Sequence, residues 1–363
     1  MNKVILLGGS TAFIPTFENA AYGIEWTKDD NDIIRIGNAK FHRELPIQNR
    51  LKGCVYNEKK ISYFLNPTGW AKPLENGLVP PLDGSDGDVG VRVPEFYMCV
   101  KDTGTKYQLW ISDFNIDGTF TRVHPFIISH TKTMTRTRED GKEEVFSACI
   151  KHDDTRYLGG NKSSSIVATK LQGRPRTGIT YDKANEFCTN RGDWITMIDY
   201  LEYCALQALC YIEYANFDNQ AALNTNLTSD GFKQGGLGAG VTNLNWDRWT
   251  AFNGNNPTDI TIDNIQDKCY FIGDQANTNN FITEFDFRFG PYFVPNKVGT
   301  NKKADYNWKR GNDGQDTDKA VRVLLLGGSA HSGSPAGSGL FYSTWVRSDS
   351  NATVGFFTTV KLD

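Results

Sequence analysis

The sequence lacks any long apolar run. Stretches such as residues 4–7 and 321–326 are strand-length, far short of the roughly 20 residues that cross a bilayer, so no membrane insertion is expected. It also lacks a charge imbalance: 39 basic residues stand against 42 acidic ones, a net charge of -3. With no Lys/Arg-rich run interleaved with aromatics, nucleic-acid binding is not expected either. The first residues carry one Lys and only four apolar positions before Gly8-Gly9. That is too little for a secretory signal, so folding in a cytoplasm is expected.

Catalytic and metal signatures are missing as well. The seven cysteines (Cys54, Cys99, Cys149, Cys188, Cys204, Cys210, Cys269) include no Cys-x-x-Cys pair, which argues against zinc or a disulfide framework and for free, mostly buried thiols. The histidines (His42, His124, His130, His152, His331) form no His-x-x-x-His pair, and His124 before Pro125 reads as a strand-end residue. Gly8-Gly9-Ser10 follows a strand-like run, but Thr11 to Pro15 breaks the Gly-x-Gly-x-x-Gly spacing of a dinucleotide loop. No Gly-x-Ser-x-Gly elbow exists, since Gly333-Ser334-Pro335 puts proline where the chain must enter a helix. The acidic clusters at residues 83–88 and 312–318 offer oxygen ligands without the twelve-residue calcium-loop pattern, so solvated turns are the simpler reading. Glu202 and Glu213 read as solvated or partner-capping carboxylates. No cofactor, metal or catalytic residue is nominated.

What is present is a turn-rich chain with 35 glycines. Strands are expected at residues 4–7, 33–36, 61–65, 89–93, 107–111 and 126–128, and near the end at 321–326 and 354–362. Residues 67–90 read as a long loop and a domain boundary. One helix is expected over 181–190, opened by Thr180 and closed by Gly192. A second is expected over 196–216, where Met197, Leu201, Cys204, Ala205, Ala208, Leu209, Ile212 and Ala215 recur at helical steps as one buried stripe. Between the last two strands, residues 329–353 mix Gly, Ser and Asn with Tyr, Trp and Phe. Such residues suit adaptable recognition, though composition alone does not separate that from a plain surface loop.

A resemblance sharpens this. Leu326-Gly327-Gly328-Ser329 with Val354-Gly355-Phe356, together with Val93-Pro94-Glu95-Phe96-Tyr97, Trp110-Ile111-Ser112, His124-Pro125-Phe126, Asn190-Arg191-Gly192-Asp193-Trp194 and Gln234-Gly235-Gly236, resembles a known group. Gly23-Ile24-Glu25-Trp26, Arg35-Ile36-Gly37-Asn38 and Leu45-Pro46-Ile47-Gln48 extend the likeness toward the start. The group is the C-type lectin fold of formylglycine-generating-enzyme type, as in diversity-generating retroelement variable proteins and tail proteins of gut Bacteroidetes phages. The resemblance implies an α+β fold with few helices and irregular loops. It comprises a small β-rich attachment or oligomerisation module at 1–90 and a C-type-lectin-like ligand-binding domain at 91–363 with a displayed segment at 329–353.

It further implies a virion receptor-binding protein, a homo-oligomer (trimer) that contacts other virion proteins and a bacterial cell-surface receptor. The displayed residues carried over are His331, Ser332, Ser338, Leu340, Tyr342, Thr344, Trp345, Asp349, Asn351 and Thr353. No cysteine follows Cys269, against the enzymatic branch, and Asn245-Trp246-Asp247 is not the sugar-binding calcium motif. A structural virion protein and a polysaccharide hydrolase remain the alternatives, the latter without a carboxylate pair to nominate.

Overall fold

The computed structural model describes residues 13–28, 32–130, 132–148, 157–158, 176, 178–217, 240–245, 249–250, 270–271, 280–288, 290–300, 306–308, 322–327, 337–349 and 355–362. In chain order, α1 (Phe17–Ala20) leads into β1 (Ala21–Thr27) and β2 (Ile33–Gly37). After α2 (Ala39–Glu44) come β3 (Lys52–Asn57), β4 (Lys60–Phe64), β5 (Asp88–Val93), β6 (Phe96–Asp102), β7 (Lys106–Ser112), β8 (Thr121–Val123) and β9 (Phe126–Ser129). Next are β10 (Met134–Thr137), β11 (Glu143–Phe146), β12 (Tyr157–Leu158), α3 (Tyr181–Arg191), β13 (Thr196–Met197) and α4 (Tyr200–Tyr214). The chain continues through β14 (Gly240–Asn245), β15 (Trp249–Thr250), β16 (Tyr270–Phe271), β17 (Asn280–Asp286), β18 (Val294–Gly299) and β19 (Tyr306–Trp308). It finishes with β20 (Arg322–Gly327), β21 (Gly337–Val346) and β22 (Thr358–Lys361). The fold is α+β, rich in sheet and poor in helix. The expected strand at 4–7 lies outside the described residues.

Three larger sheets carry the architecture. One has the order β2-β1-β7-β6-β8, a second β13-β22-β9-β5-β3-β4 and a third β14-β20-β21-β19-β17-β18. The expected boundary near residue 90 falls inside two of them. Strand β1 pairs with β7 over Ala21↔Ser112 to Thr27↔Lys106, and β3 pairs with β5 over Lys52↔Arg92 to Tyr56↔Asp88. The loop between β4 and β5 is docked as well, because Leu65 and Leu82 bury against Val55 and Val89. Its polar and Gly/Pro-rich composition reads like a linker, but pairing across it binds the described part of residues 1–90 to the rest.

Helix α3 begins where the sequence places it. Thr180 accepts a hydrogen bond from the Lys183 amide, and the Gly192 amide closes the last turn onto the Cys188 carbonyl. Helix α4 starts later than its apolar periodicity suggests. Thr196 and Met197 pair with Thr359 and Thr358 of β22, so Asp199 and not an earlier residue caps the helix. The expected stripe is buried at Cys204, Ala205, Ala208, Leu209 and Ile212, yet Glu202, Tyr203, Gln207 and Tyr211 are buried too. Helix α4 is therefore enclosed on more than one face, and it forms the centre of the largest apolar cluster. There it meets Tyr22, Ile24 and Leu109 of the first sheet and Ile282, Phe285 and Val294 of the third. Phe217, just past the helix, sets its ring edge-on at 4.9 Å from both Trp26 and Tyr211. Cys54, Cys99, Cys188 and Cys204 are buried free thiols, and Cys210 is half-buried.

Candidate ligand-binding surface

The segment at 329–353, whose composition does not separate a recognition surface from a plain surface loop, contains a ten-residue strand. Strand β21 lies inside the third sheet, antiparallel to β20 on one side and parallel to β19 on the other. Leu340 to Trp345 supplies the aromatic and β-branched residues that favour a strand, while the Gly and Ser around it give the stretch its loop-like composition. Of the carried-over residues, Ser338, Leu340, Tyr342, Thr344 and Trp345 lie on β21. Asp349 is exposed just beyond it, and His331, Ser332, Asn351 and Thr353 lie outside the described residues. The two framing strands belong to different sheets, β20 to the third and β22 to the second. Of the expected 354–362 run, the four residues Thr358–Lys361 are paired as a strand among the described residues.

Register decides which positions share a face. Leu325 stands opposite Tyr342 and Val323 opposite Trp345, with a register shift between them. Two steps on β20 are matched by three on β21, a bulge. Strict alternation would put Tyr342 and Trp345 on opposite faces. With the bulge, both fall opposite positions two apart on β20, and hence on one face.

That face can be followed across the sheet. Tyr342 is in register with Trp308, Tyr306 with Phe281, and Phe341 with Asn307 and through it Asn280. Ile282, two residues from Asn280, is fully buried in the main core. By alternation the Asn280–Phe341 row and the Tyr342 and Trp345 positions belong to opposite faces of the sheet. A second shift opposes Leu326↔Phe341 to Gly327↔Gly337, so Ser338 and Leu340 sit in an unpaired excursion at the start of the strand.

The end of β21 is clamped. The Tyr181 amide donates to the Arg347 carbonyl at 3.2 Å, and the Arg347 guanidinium pairs with Asp182 in the first turn of α3. Arg347 also lies over the Tyr181 ring, 5.3 Å from its centre. The chain is caught again where the Thr133 amide donates to the Phe356 carbonyl and the Ile198 amide to that of Phe357. The described part of the segment thus has a backbone fixed by two neighbouring strands and a helix N-terminus.

The remaining titratable groups serve other ends. No three of His, Cys, Asp and Glu converge as a metal site among the described residues. The acidic cluster at 83–88 is divided: Asp83 accepts from the Ser85 amide, Asp86 from the Tyr63 hydroxyl, and Asp88 from Arg191. Asp88 is only 1% exposed, so the reading of that run as a solvated turn fails at its last residue. Arg191 reaches Asp88 at 2.6 Å and Glu144 at 2.9 Å, and Arg136 donates to Glu144 at 2.7 Å. This buried network fastens the end of α3 to β5 and β11. Sequence reasoning missed it because Arg191 lies 103 residues from Asp88, and no local pattern links them. Glu202, read as a solvated or partner-capping carboxylate, is buried and forms a capping box with Asp199, whereas Glu213 is half-exposed. His124 lies between β8 and β9, a strand-end position.

No family model matches the chain, and no curated protein matches it. The functional reading therefore rests on the geometry and on the resemblance.

Proposed function

We propose that the protein is a bacteriophage virion component, a tail or head fibre protein of C-type lectin fold, that binds a bacterial surface ligand through the β21 region. The observation that carries this reading is the bulged register of β21, which brings the Tyr342 and Trp345 positions onto one face of the sheet. A paired backbone on both sides of the strand and the Arg347–Asp182 clamp support it. Such a frame holds its shape while the residues it carries differ. Aromatic anchors dominate binding surfaces, where truncating one often costs about 2 kcal/mol or more. The protein acts in the virion as a homo-oligomer, a trimer, and several copies turn modest single-site affinity into stable attachment. It needs no cofactor and is not an enzyme.

The test is adsorption. Virions carrying Tyr342→Ala with Trp345→Ala are expected to assemble, retain the fold and lose adsorption to their host. Normal adsorption by such virions would overturn the reading. Loss of assembly, with this face buried against another subunit in the particle, would reassign the surface to virion packing.

A further inference from the structure

The second sheet ends on a buried carboxyl group that the receptor-binding reading does not use. Glu202 is 5% exposed, in the first turn of α4. Its amide donates to Asp199 Oδ1 at 2.8 Å, and its Oε2 accepts from the Asp199 amide at 3.0 Å. Oε2 also lies 2.9 Å from the Thr359 hydroxyl of β22, and Lys361 Nζ of the same strand donates to Asp199 Oδ2 at 2.9 Å. Oε1 is buried with no hydrogen-bond partner among the described residues. The charged groups facing Glu202 are thus Asp199 on its own helix and Lys361 from β22. Strand β13, paired to β22 there, brings only Thr196 and Met197.

One ammonium, paired with Asp199, stands near two carboxyl groups, and Glu202 is enclosed with an oxygen that accepts no hydrogen bond from the described residues. A buried carboxylate oxygen without a partner is costly, whereas a carbonyl oxygen of the neutral acid is much less so. Burial first, and then the Asp199 carboxylate, push the Glu202 carboxyl up to about 8, against the backbone amide, Lys361 and Thr359. In the structure the Thr359 hydroxyl donates to Oε2; protonated on Oε2, Glu202 would reverse that bond while still accepting from the Asp199 amide. Ionised, it would place a second negative charge beside Asp199 in the same closed space.

We propose that Glu202 is a proton-held latch: as the neutral acid it fastens the first turn of α4 to the C-terminal strand β22, and loss of the proton loosens that strand. The sign follows from linkage. A carboxyl held above its unfolded value contributes stability that is complete below that unfolded value, about 4.3, and is lost as pH rises through the folded one. The latch is therefore tightest in acid.

Hydrogen exchange of the β22 amides and the first turn of α4, corrected for intrinsic rates, reads this directly. Between about pH 5.5 and 7.5 the opening constant is expected to rise by about tenfold per pH unit in the wild-type protein. In Glu202→Gln, which keeps the shape without the titration, it should stay flat. The same slope in both proteins would overturn the proposal. If Glu202→Gln does not fold, carbon NMR titration of the wild-type Glu202 carboxyl decides. A midpoint above pH 7 supports the latch, and an ordinary carboxylate midpoint rejects it.

Discussion

Replacing Arg191 with Met should expose how much the fold depends on one buried cation. In the native protein Arg191 satisfies Asp88 at 2.6 Å and Glu144 at 2.9 Å, with Asp88 and Glu144 only 1% and 6% exposed. Glu144 would keep Arg136, which donates to it at 2.7 Å. Asp88 would keep only the Ser147 amide, at 2.8 Å. The loss therefore falls on Asp88, and removing one partner of a buried pair costs about 3–5 kcal/mol. That is a large part of the roughly 5–15 kcal/mol that holds a domain folded.

The pH dependence gives a second constraint. Burial holds the Asp88 carboxyl above its ordinary range even in the native protein, with Arg191 the chief influence pulling it down. Without Arg191 it rises further. A raised carboxyl gives stability that is present below its unfolded value, about 3.9, and lost as pH rises through the folded value. The deficit of Arg191→Met should be largest near pH 7 and shrink toward pH 4, where Asp88 takes a proton. Urea unfolding of wild type, Arg191→Met, Asp88→Asn and the double variant at both pH values measures this. A deficit below about 1 kcal/mol at pH 7, where 3–5 kcal/mol is the expected scale, or one that grows in acid, would refute the reasoning.

Two further substitutions test packing. Gly84 has φ +83°, and a Cβ there would lie 2.0 Å from the Phe146 ring. Gly84→Ala should therefore lower stability by about 1–3 kcal/mol through overpacking and backbone strain, and an unchanged denaturation midpoint would count against the placement of that loop. Phe217 is 1% exposed among Trp26, Tyr211 and Phe285. Phe217→Ala should cost about 3–5 kcal/mol, read by thermal unfolding, and a loss near zero would mean that the ring is not in the core.

Local signals were the legible part of this fold. The Thr180 cap, the Gly192 stop and the apolar spacing of α4 mark helices because each acts within a turn or two of chain. The expected strands at 33–36, 61–65, 89–93, 107–111 and 126–128 all lie in or overlap β2, β4, β5, β7 and β9. Strand β1 was hidden by Gly23, which reads as a breaker. In the sheet it permits close approach, since a Cβ there would sit 2.0 Å from the Leu109 carbonyl oxygen. The helices α1 and α2 span four and six residues, too short to show a period. The joining of residues 21–64 to later strands and the Asp88–Arg191–Glu144 network depend on pairing between distant segments, which local patterns do not encode. At the candidate surface, the resemblance carried over Tyr342 and Trp345, but only the β21 bulge reveals that their positions share a face.

The central claim is recognition of a bacterial surface by that face, and binding to whole cells measures it most directly. The purified, labelled chain and its folded Tyr342→Ala, Trp345→Ala variant would be titrated onto a panel of gut Bacteroidetes strains. The account predicts saturable binding to a subset of strains that also blocks phage adsorption, and its loss in the variant. Equal binding by the two proteins, or binding that leaves adsorption untouched, would contradict it.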